Sequence, residues 1–235
     1  MKFTLGAKSR TWACAALLGL LSVVVRAQPT DLLYDPEPPV DSAYVRFILA
    51  SQRGVVDVLV DGRPRVQKLG AGEASVYIVL AAGKHSVAVH PTGKSNAYLS
   101  TTLDVIRGRA MTLALTSLRP DAIPLVFEDM PNSNKLKAVL AAYHLDGKAG
   151  PLDVLTGDGN TKVFSGLTYG TSSSIQVNPI SVDLVSMLSG SKAPRGRTSV
   201  SMAPGGTYSL IIMTVRGEEP MMRSIQNRIE RYNGR

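Results

Sequence analysis

The only cysteine (Cys14) and the only tryptophan (Trp12) of this 235-residue chain lie within its first 27 residues. Beyond that point there is no thiol, which excludes a disulfide framework, a cysteine nucleophile and a thiolate zinc site; apolar packing alone must hold the core. Histidine is nearly as scarce, with His85, His90 and His144 the only three, and aromatics make up 6% of the chain. No apolar run after residue 27 approaches the 18 residues of a membrane-spanning helix, so the processed chain is expected to be soluble. A G-x-S-x-G elbow, a phosphate-cradling glycine loop and a dinucleotide fingerprint are also missing.

The first 27 residues form a unit of their own. Lys2, Lys8 and Arg10 make a positive start, "WACAALLGLLSVVV" (12–25) is an apolar stretch too short to span a membrane comfortably, and "VRA" precedes a cut between Ala27 and Gln28. This pattern is that of a secretory signal peptide. Its removal takes away four basic residues and no acid. The 26 Lys+Arg become 22 against 18 Asp+Glu, and a net charge of +8 becomes +4. Most of the apparent basicity is therefore targeting signal, which argues against nucleic acid as a partner.

The remaining residues repeat themselves. "YVRFILAS" (44–51) answers "LKAVLAAY" (136–143), and "VVDVLVDG" (55–62) answers "PLDVLTGDG" (151–159). "LGAGEASVYI" (69–78) answers "LTYGTSSSIQ" (167–176), and "VIRGRAMTLAL" (105–115) answers "SMAPGGTYSLII" (201–212). The offset is a domain-scale duplication rather than a solenoid repeat. Each copy is a series of about seven short β-rich runs cut by Gly, Pro, Asn and Asp, which predicts an all-β chain of two tandem Ig-like β-sandwich domains. The expected organisation is a leader (1–27), a proline-rich segment (28–42), a first sandwich (43–118), an extended linker (119–134), a second sandwich (135–217) and a tail (218–235). In the tail, Met222, Ile225, Ile229 and Tyr232 are spaced 3, 4, 3, which predicts a short amphipathic helix whose apolar stripe is a candidate partner interface.

The candidate chemistry is thin. Asp57 and Asp61 share a strand face but stand about 13 Å apart along it, too far for paired glycosidase carboxylates at roughly 5–9.5 Å. Asp57 recurs as Asp153, and a catalytic pair duplicated in two sandwiches is a poor reading; a repeated structural role is the better one. His85 and His90 face opposite sides of one strand, and no metal-ligand spacing appears. An SGNH-type acyltransferase needs Gly-Asp-Ser and Asp-x-x-His, but "GDGN" has Gly159 in place of the serine, and Ala82, Val87 and Ala141 stand three before the histidines. No catalytic residue, cofactor or metal is therefore expected. For carbohydrate binding, Tyr34, Tyr98, Tyr143 and Tyr169 lie in or near predicted loops and could stack on a sugar. Arg63, Arg65, Lys94 and Arg107 could meet an acidic polymer, although singly spaced cations more often form a solvated surface.

"LYDPEPPVDSAYVRF" after the leader, "FEDMPNSNKLKAVL" at the domain junction and "VNPISVDL" (177–184), taken in that order, resemble the AlgF family of alginate biosynthesis proteins over nearly the whole processed chain. The first domain alone also resembles a widespread extracellular Ig-like domain of unknown function. The resemblance implies a periplasmic, non-catalytic accessory protein for exopolysaccharide O-acetylation. Its implied partners are periplasmic SGNH-type acetyltransferase proteins and the membrane-bound O-acyltransferase, with weak or no direct binding of polysaccharide. The "HLDGKAG" insertion and the Met- and Arg-rich tail depart from that pattern. An equivalent accessory role in cellulose acetylation, a carbohydrate-binding module for an acidic exopolysaccharide, and an unrecognised acetyltransferase remain as alternatives.

Overall fold

A computed structural model describes residues 41–51, 54–214 and 220–230. The expected leader with its cut at Ala27–Gln28, the segment holding Tyr34, and Tyr232 lie outside these residues. The described chain is all-β and builds two tandem sandwiches. The first contains β1 (Ser42–Leu49), β2 (Val56–Val60), β3 (Arg63–Leu69), β4 (Glu73–Ala74), β5 (Ile78–Ala81), β6 (Gly83–Pro91), β7 (Leu99–Val105), β8 (Ala110–Leu115) and β9 (Leu125–Asp129). The second contains β10 (Ala138–His144), β11 (Leu152–Thr156), β12 (Lys162–Leu167), β13 (Ser172–Val177), β14 (Ser181–Leu188), β15 (Pro194–Ser201), β16 (Thr207–Thr214) and β17 (Pro220–Gln226).

The duplication read from the sequence is a duplication of topology. One sheet of the first sandwich runs β4-β1-β8-β9, with β5 also paired to β1, and the other runs β3-β2-β6-β7. The second sandwich has β13-β10-β16-β17 and β12-β11-β14-β15, the same order strand for strand, with β13 standing where β4 and β5 stand together. The pairs β1/β8 and β10/β16 are parallel. Period-two alternation fills each core. Val56, Val58 and Val60 point inward with Val45, Phe47, Leu49, Val87, Val89 and Leu113 in the first sandwich. Leu140, Leu152, Val154, Phe164, Leu184, Leu210 and Ile212 do the same in the second.

A third apolar cluster lies between the sandwiches. Ile48, Ala50, Ala114 and Phe127 from the first meet Ala141, Tyr143, Leu145, Ile211 and Met213 from the second. The backs of the β1/β8 and β10/β16 sheets therefore face one another, and both sandwiches belong to one compact unit. These four central strands are covered on both faces, so they read as near-continuous apolar runs, such as "AVLAAYH" and "SLIIM", instead of alternating.

Two expectations are corrected, and the two corrections are one. The linker expected over 119–134 contains β9, antiparallel to β8 from Ala110↔Asp129 to Ala114↔Leu125. The tail expected as a helix is β17, antiparallel to β16 over seven residue pairs, Tyr208↔Gln226 to Thr214↔Pro220. Strand β17 is thus the second copy's version of β9. The helical reading failed because a short helix in water leaves its terminal N–H and C=O groups unpaired, whereas the open edge of β16 pairs them. Strand parity also uses the apolar residues better. Met222 enters the second core while Met221 and Ile225 pack on the third cluster. Strand β15 passes so close to β17 that a Cβ on Gly196 would stand 2.7 Å from the Met222 amide nitrogen.

Candidate functional site

The seam between the sandwiches holds the structure's least expected group. Arg46 sits on β1 between Val45 and Phe47, so it points away from the first core, and it is fully buried. Its Nε donates to Thr112 Oγ1 (2.7 Å), Nη1 to Asn227 Oδ1 (2.6 Å), and Nη2 to Tyr143 Oη and Ser209 Oγ (both 2.9 Å). The buried carboxylate of Asp129 accepts from the hydroxyls of Thr112, Tyr143 and Tyr77. Thr112 and Tyr143 thus relay between a buried cation and a buried anion, each accepting from one and donating to the other. The guanidinium also lies over the rings of Tyr77 and Tyr143, at 4.7 and 5.4 Å from their centroids. Burial opposes the charge on Arg46, but Tyr77, Tyr143 and Asp129 outweigh it and raise its pKa above the ordinary arginine value. Burial likewise pushes the Tyr143 and Tyr77 phenols up, so both stay protonated donors. Arg46, Tyr77, Thr112 and Asp129 come from the first sandwich; Tyr143 and Ser209 come from the second, and Asn227 follows β17.

The chain end completes the seam. Beyond β17 it crosses to the first sandwich, where the Tyr77 amide donates to Arg228 O and the Glu230 amide donates to Tyr77 O, both at 2.8 Å. The Glu230 carboxylate accepts from the Val79 amide (2.8 Å) and pairs with Arg65 (2.7 Å). The residues proposed as a partner interface therefore have other positions. Met222 is buried in the second core, Ile225 is half-buried at the seam, and Ile229 forms a backbone bridge to Tyr77 with its side chain partly exposed. They form no common stripe.

The paired aspartates have a shared and structural explanation. The Lys68 amide donates to Asp57 (2.8 Å), and the Gly166 amide donates to Asp153 (2.8 Å). Lys68 and Gly166 both have left-handed backbones, φ 55° and 63°, where β3 and β12 bulge against β2 and β11. Each aspartate thus satisfies an amide that the bulge removes from the ladder. Asp153 also accepts from Ser189 (2.7 Å) and pairs with Lys162 (2.6 Å). Burial pushes its carboxyl up, but Lys162, the Gly166 amide and Ser189 outweigh this and leave it below the ordinary aspartate range. A depressed folded-state value means the stabilisation is full above about pH 4 and drains as pH falls through the folded value. Asp153→Asn is therefore expected to cost about 1–3 kcal/mol in urea unfolding at pH 7. The gap from the unsubstituted protein should close on acidification, and a gap independent of pH would refute the assignment.

The histidines and tyrosines divide between structure and surface. His85 is held by Asp61 (2.7 Å) and Ala81 O (2.9 Å). His144 is buried, with Nε2 against Gly150 O. Among the described residues, no group of three or more His, Cys, Asp or Glu side chains is placed to hold a metal ion. Tyr98 packs on the first core and Tyr143 is buried in the seam, which removes Tyr143 as a sugar platform. Among the described members of that set, Tyr169 is the one substantially in solvent, 45% exposed.

Tyr169 marks an open cleft. The parallel pairs bring the C-terminal ends of β1, β8, β10 and β16 to one end of the seam. There Ala50, Ser51, Gly54 and Thr116–Arg119 face Leu145–Lys148, Tyr169 and Thr214 across about 690 Å³. The Tyr169 hydroxyl donates to Thr116 Oγ1 across the two walls (3.2 Å). Beneath the rim Asp146 is buried and accepts from the Lys148 amide (3.0 Å), Thr214 Oγ1 (2.5 Å) and Arg195 (3.4 Å).

Over 196 residues, 83% of each chain, the sequence is 26% identical to the alginate biosynthesis protein AlgF of Azotobacter vinelandii. The chain is thus similar to AlgF over most of its length. Residues 43–155 also match a family model described only as a domain of unknown function, DUF4397. That match covers the first sandwich and runs through β10 and β11 into the second, across the seam. Among solved structures, the C-terminal domain of AlgF from P. aeruginosa aligns with 40% of this chain and all of that one, at 24% identity and a TM-score of 0.33. A family 26 carbohydrate-binding module from Eubacterium rectale, solved with maltoheptaose, aligns over 79% of this chain and 97% of its own at 10% identity and a TM-score of 0.26. Likenesses this slight carry no functional argument.

Proposed function

We propose that the protein is a non-catalytic periplasmic adaptor for O-acetylation of an exopolysaccharide, alginate in the first instance, and that it organises the acetyltransferase proteins. The observation that carries this reading is the seam. Two sandwiches, each able to offer loops and edges to a partner, are fixed to one another through Arg46 and a shared apolar cluster. A rigid pair of modules suits a protein that holds two partners at a set spacing. Its similarity to the Azotobacter protein named for alginate biosynthesis supports the polymer assignment. The aspartates that most resembled catalytic groups have structural partners instead.

Deleting the gene is expected to leave polymer secretion intact and to remove acetyl esters from the secreted polymer, as measured by proton NMR of the purified material. Asp57→Asn protein that remains folded should restore them. Normal acetylation in the deletion strain would refute the adaptor role, and failure of folded Asp57→Asn protein to restore it would reopen a catalytic reading.

A further inference from the structure

We propose that His85 is a pH-sensitive clasp: its imidazolium ties the β2–β3 turn to the corner between β5 and β6, and loss of its proton releases that corner. The inference stands apart from the adaptor reading and adds to it.

His85 lies on β6 at the same parity as Val87 and Val89, so it closes one end of the first core, with 13% of its side chain exposed. Its two ring nitrogens meet two acceptors, Asp61 Oδ2 at 2.7 Å and Ala81 O at 2.9 Å. A neutral imidazole has one N–H and one lone pair, so it satisfies one acceptor and sets its lone pair against the other. The imidazolium donates to both. These acceptors belong to different sheets. Asp61 sits in the turn between β2 and β3 with a left-handed backbone (φ 51°), and its other oxygen accepts from the Ser86 amide (2.9 Å). Ala81 ends β5, which pairs with β1 in the opposite sheet, and the Ala82 amide donates to Asp41 O (2.8 Å). The charged ring therefore holds the point where the chain crosses from one sheet to the other.

The second copy shows that the fold does not require this charge. The Asp61 amide donates to Ser86 O (2.9 Å) as the Gly157 amide donates to Asp183 O (2.6 Å). This equivalence sets Gly157 in the place of Asp61 and Val182 in that of His85. Val182 packs on the second core, so an apolar residue does there what the ion pair does in the first copy.

Among the described residues, Asp61 is the one charged group that pairs with His85. Leu103 stands across the ladder from it, while Lys84 and Asp104 oppose one another at the other parity. Arg63 at the start of β3 and Asp41 before β1 make no bond to the ring. Burial opposes the imidazolium, but Asp61 and the Ala81 carbonyl outweigh it and hold the His85 pKa above the ordinary histidine value. A raised folded-state value means the clasp is complete below about pH 6.5 and is lost as pH rises through the folded value. The neutral ring keeps the charge-assisted bond from Nδ1 to Asp61 and turns the Nε2 lone pair on Ala81 O. Release therefore begins at the corner.

The test uses the whole processed chain. Amide hydrogen exchange, expressed as protection relative to an unstructured peptide at each pH, should show Ala82 losing about threefold between about pH 6 and pH 8. Leu140 in the second sandwich should keep its protection over the same range. His85→Val, which copies the second sandwich, should abolish the dependence at Ala82. Independently, the His85 ring protons should titrate in NMR above the ordinary value of about 6.5, and Asp61→Asn should move that midpoint down. A midpoint at or below the ordinary value in the unsubstituted protein would overturn the clasp. So would Ala82 protection that stays flat over this range, or that falls equally in His85→Val.

Discussion

Replacing Arg46 with methionine is expected to lower the unfolding free energy by about 3–5 kcal/mol, because it leaves Asp129 as a buried carboxylate without its counter-charge. Four hydrogen bonds end at this guanidinium, and three of its acceptors, Tyr143, Ser209 and Asn227, belong to the second half of the chain. For a chain of this size the loss corresponds to a fall of roughly 6–20 °C in melting temperature. Adding Asp129→Leu to Arg46→Met should recover at least half of the loss, since removing both charges together removes the uncompensated ion. The signature specific to the seam is dynamic. In the single variant, NMR relaxation should report two sandwiches tumbling with different correlation times, where the unsubstituted protein gives one. A cost below about 1 kcal/mol would mean that water reaches the network and that the apolar cluster alone holds the halves together.

Ending the chain after Gly217 should have an even larger effect, on the order of the whole stability of a domain, about 5–15 kcal/mol. The truncation strips β17 from β16 and takes with it Met222 from the second core, Asn227 from Arg46, and Glu230 from Arg65 and Val79. The second sandwich is expected to lose its dispersed amide spectrum, while Met222→Ala in the full chain costs only about 2–5 kcal/mol. A truncated protein that melts within about 2 °C of the full chain would show that β17 is a passive edge.

The sequence made the alternating strands legible and the doubly covered ones only partly so. "HSVAVH" and "VVDVLVDG" carry their core residues at every second position, and β6 and β2 follow. β1 and β10 lie on β-rich runs, but apolar residues at both parities blur the alternation that marks a strand's core face. Ile48 and Ala50 beside Arg46, and Ala141 beside Tyr143, were the available sign of a second covered face. Arg46 itself carried no such sign: an arginine opposite a valine and a phenylalanine reads as a solvent-facing residue. β9 was hidden by the three prolines around it, and β17 by a coincidence, since a 3, 4, 3 spacing of apolar residues also suits a strand buried on both sides. Nothing local marks the bulges that Asp57 and Asp153 serve; only their recurrence at the same place in both copies pointed to a structural role.

The seam also sets an order of events. Arg46 and Asn227 are 181 residues apart in sequence, and Arg65 and Glu230 are 165 apart. Contacts of such separation close very long loops, so they form late and slowly. Each hairpin can form as it emerges, but the first sandwich keeps an unfinished edge at Tyr77 and Val79, and its buried cation lacks its distant acceptors, until residues 227–230 have been made. A nascent chain, or one clipped before residue 230, therefore exposes polar groups destined for burial, a ready mark for proteases and chaperones.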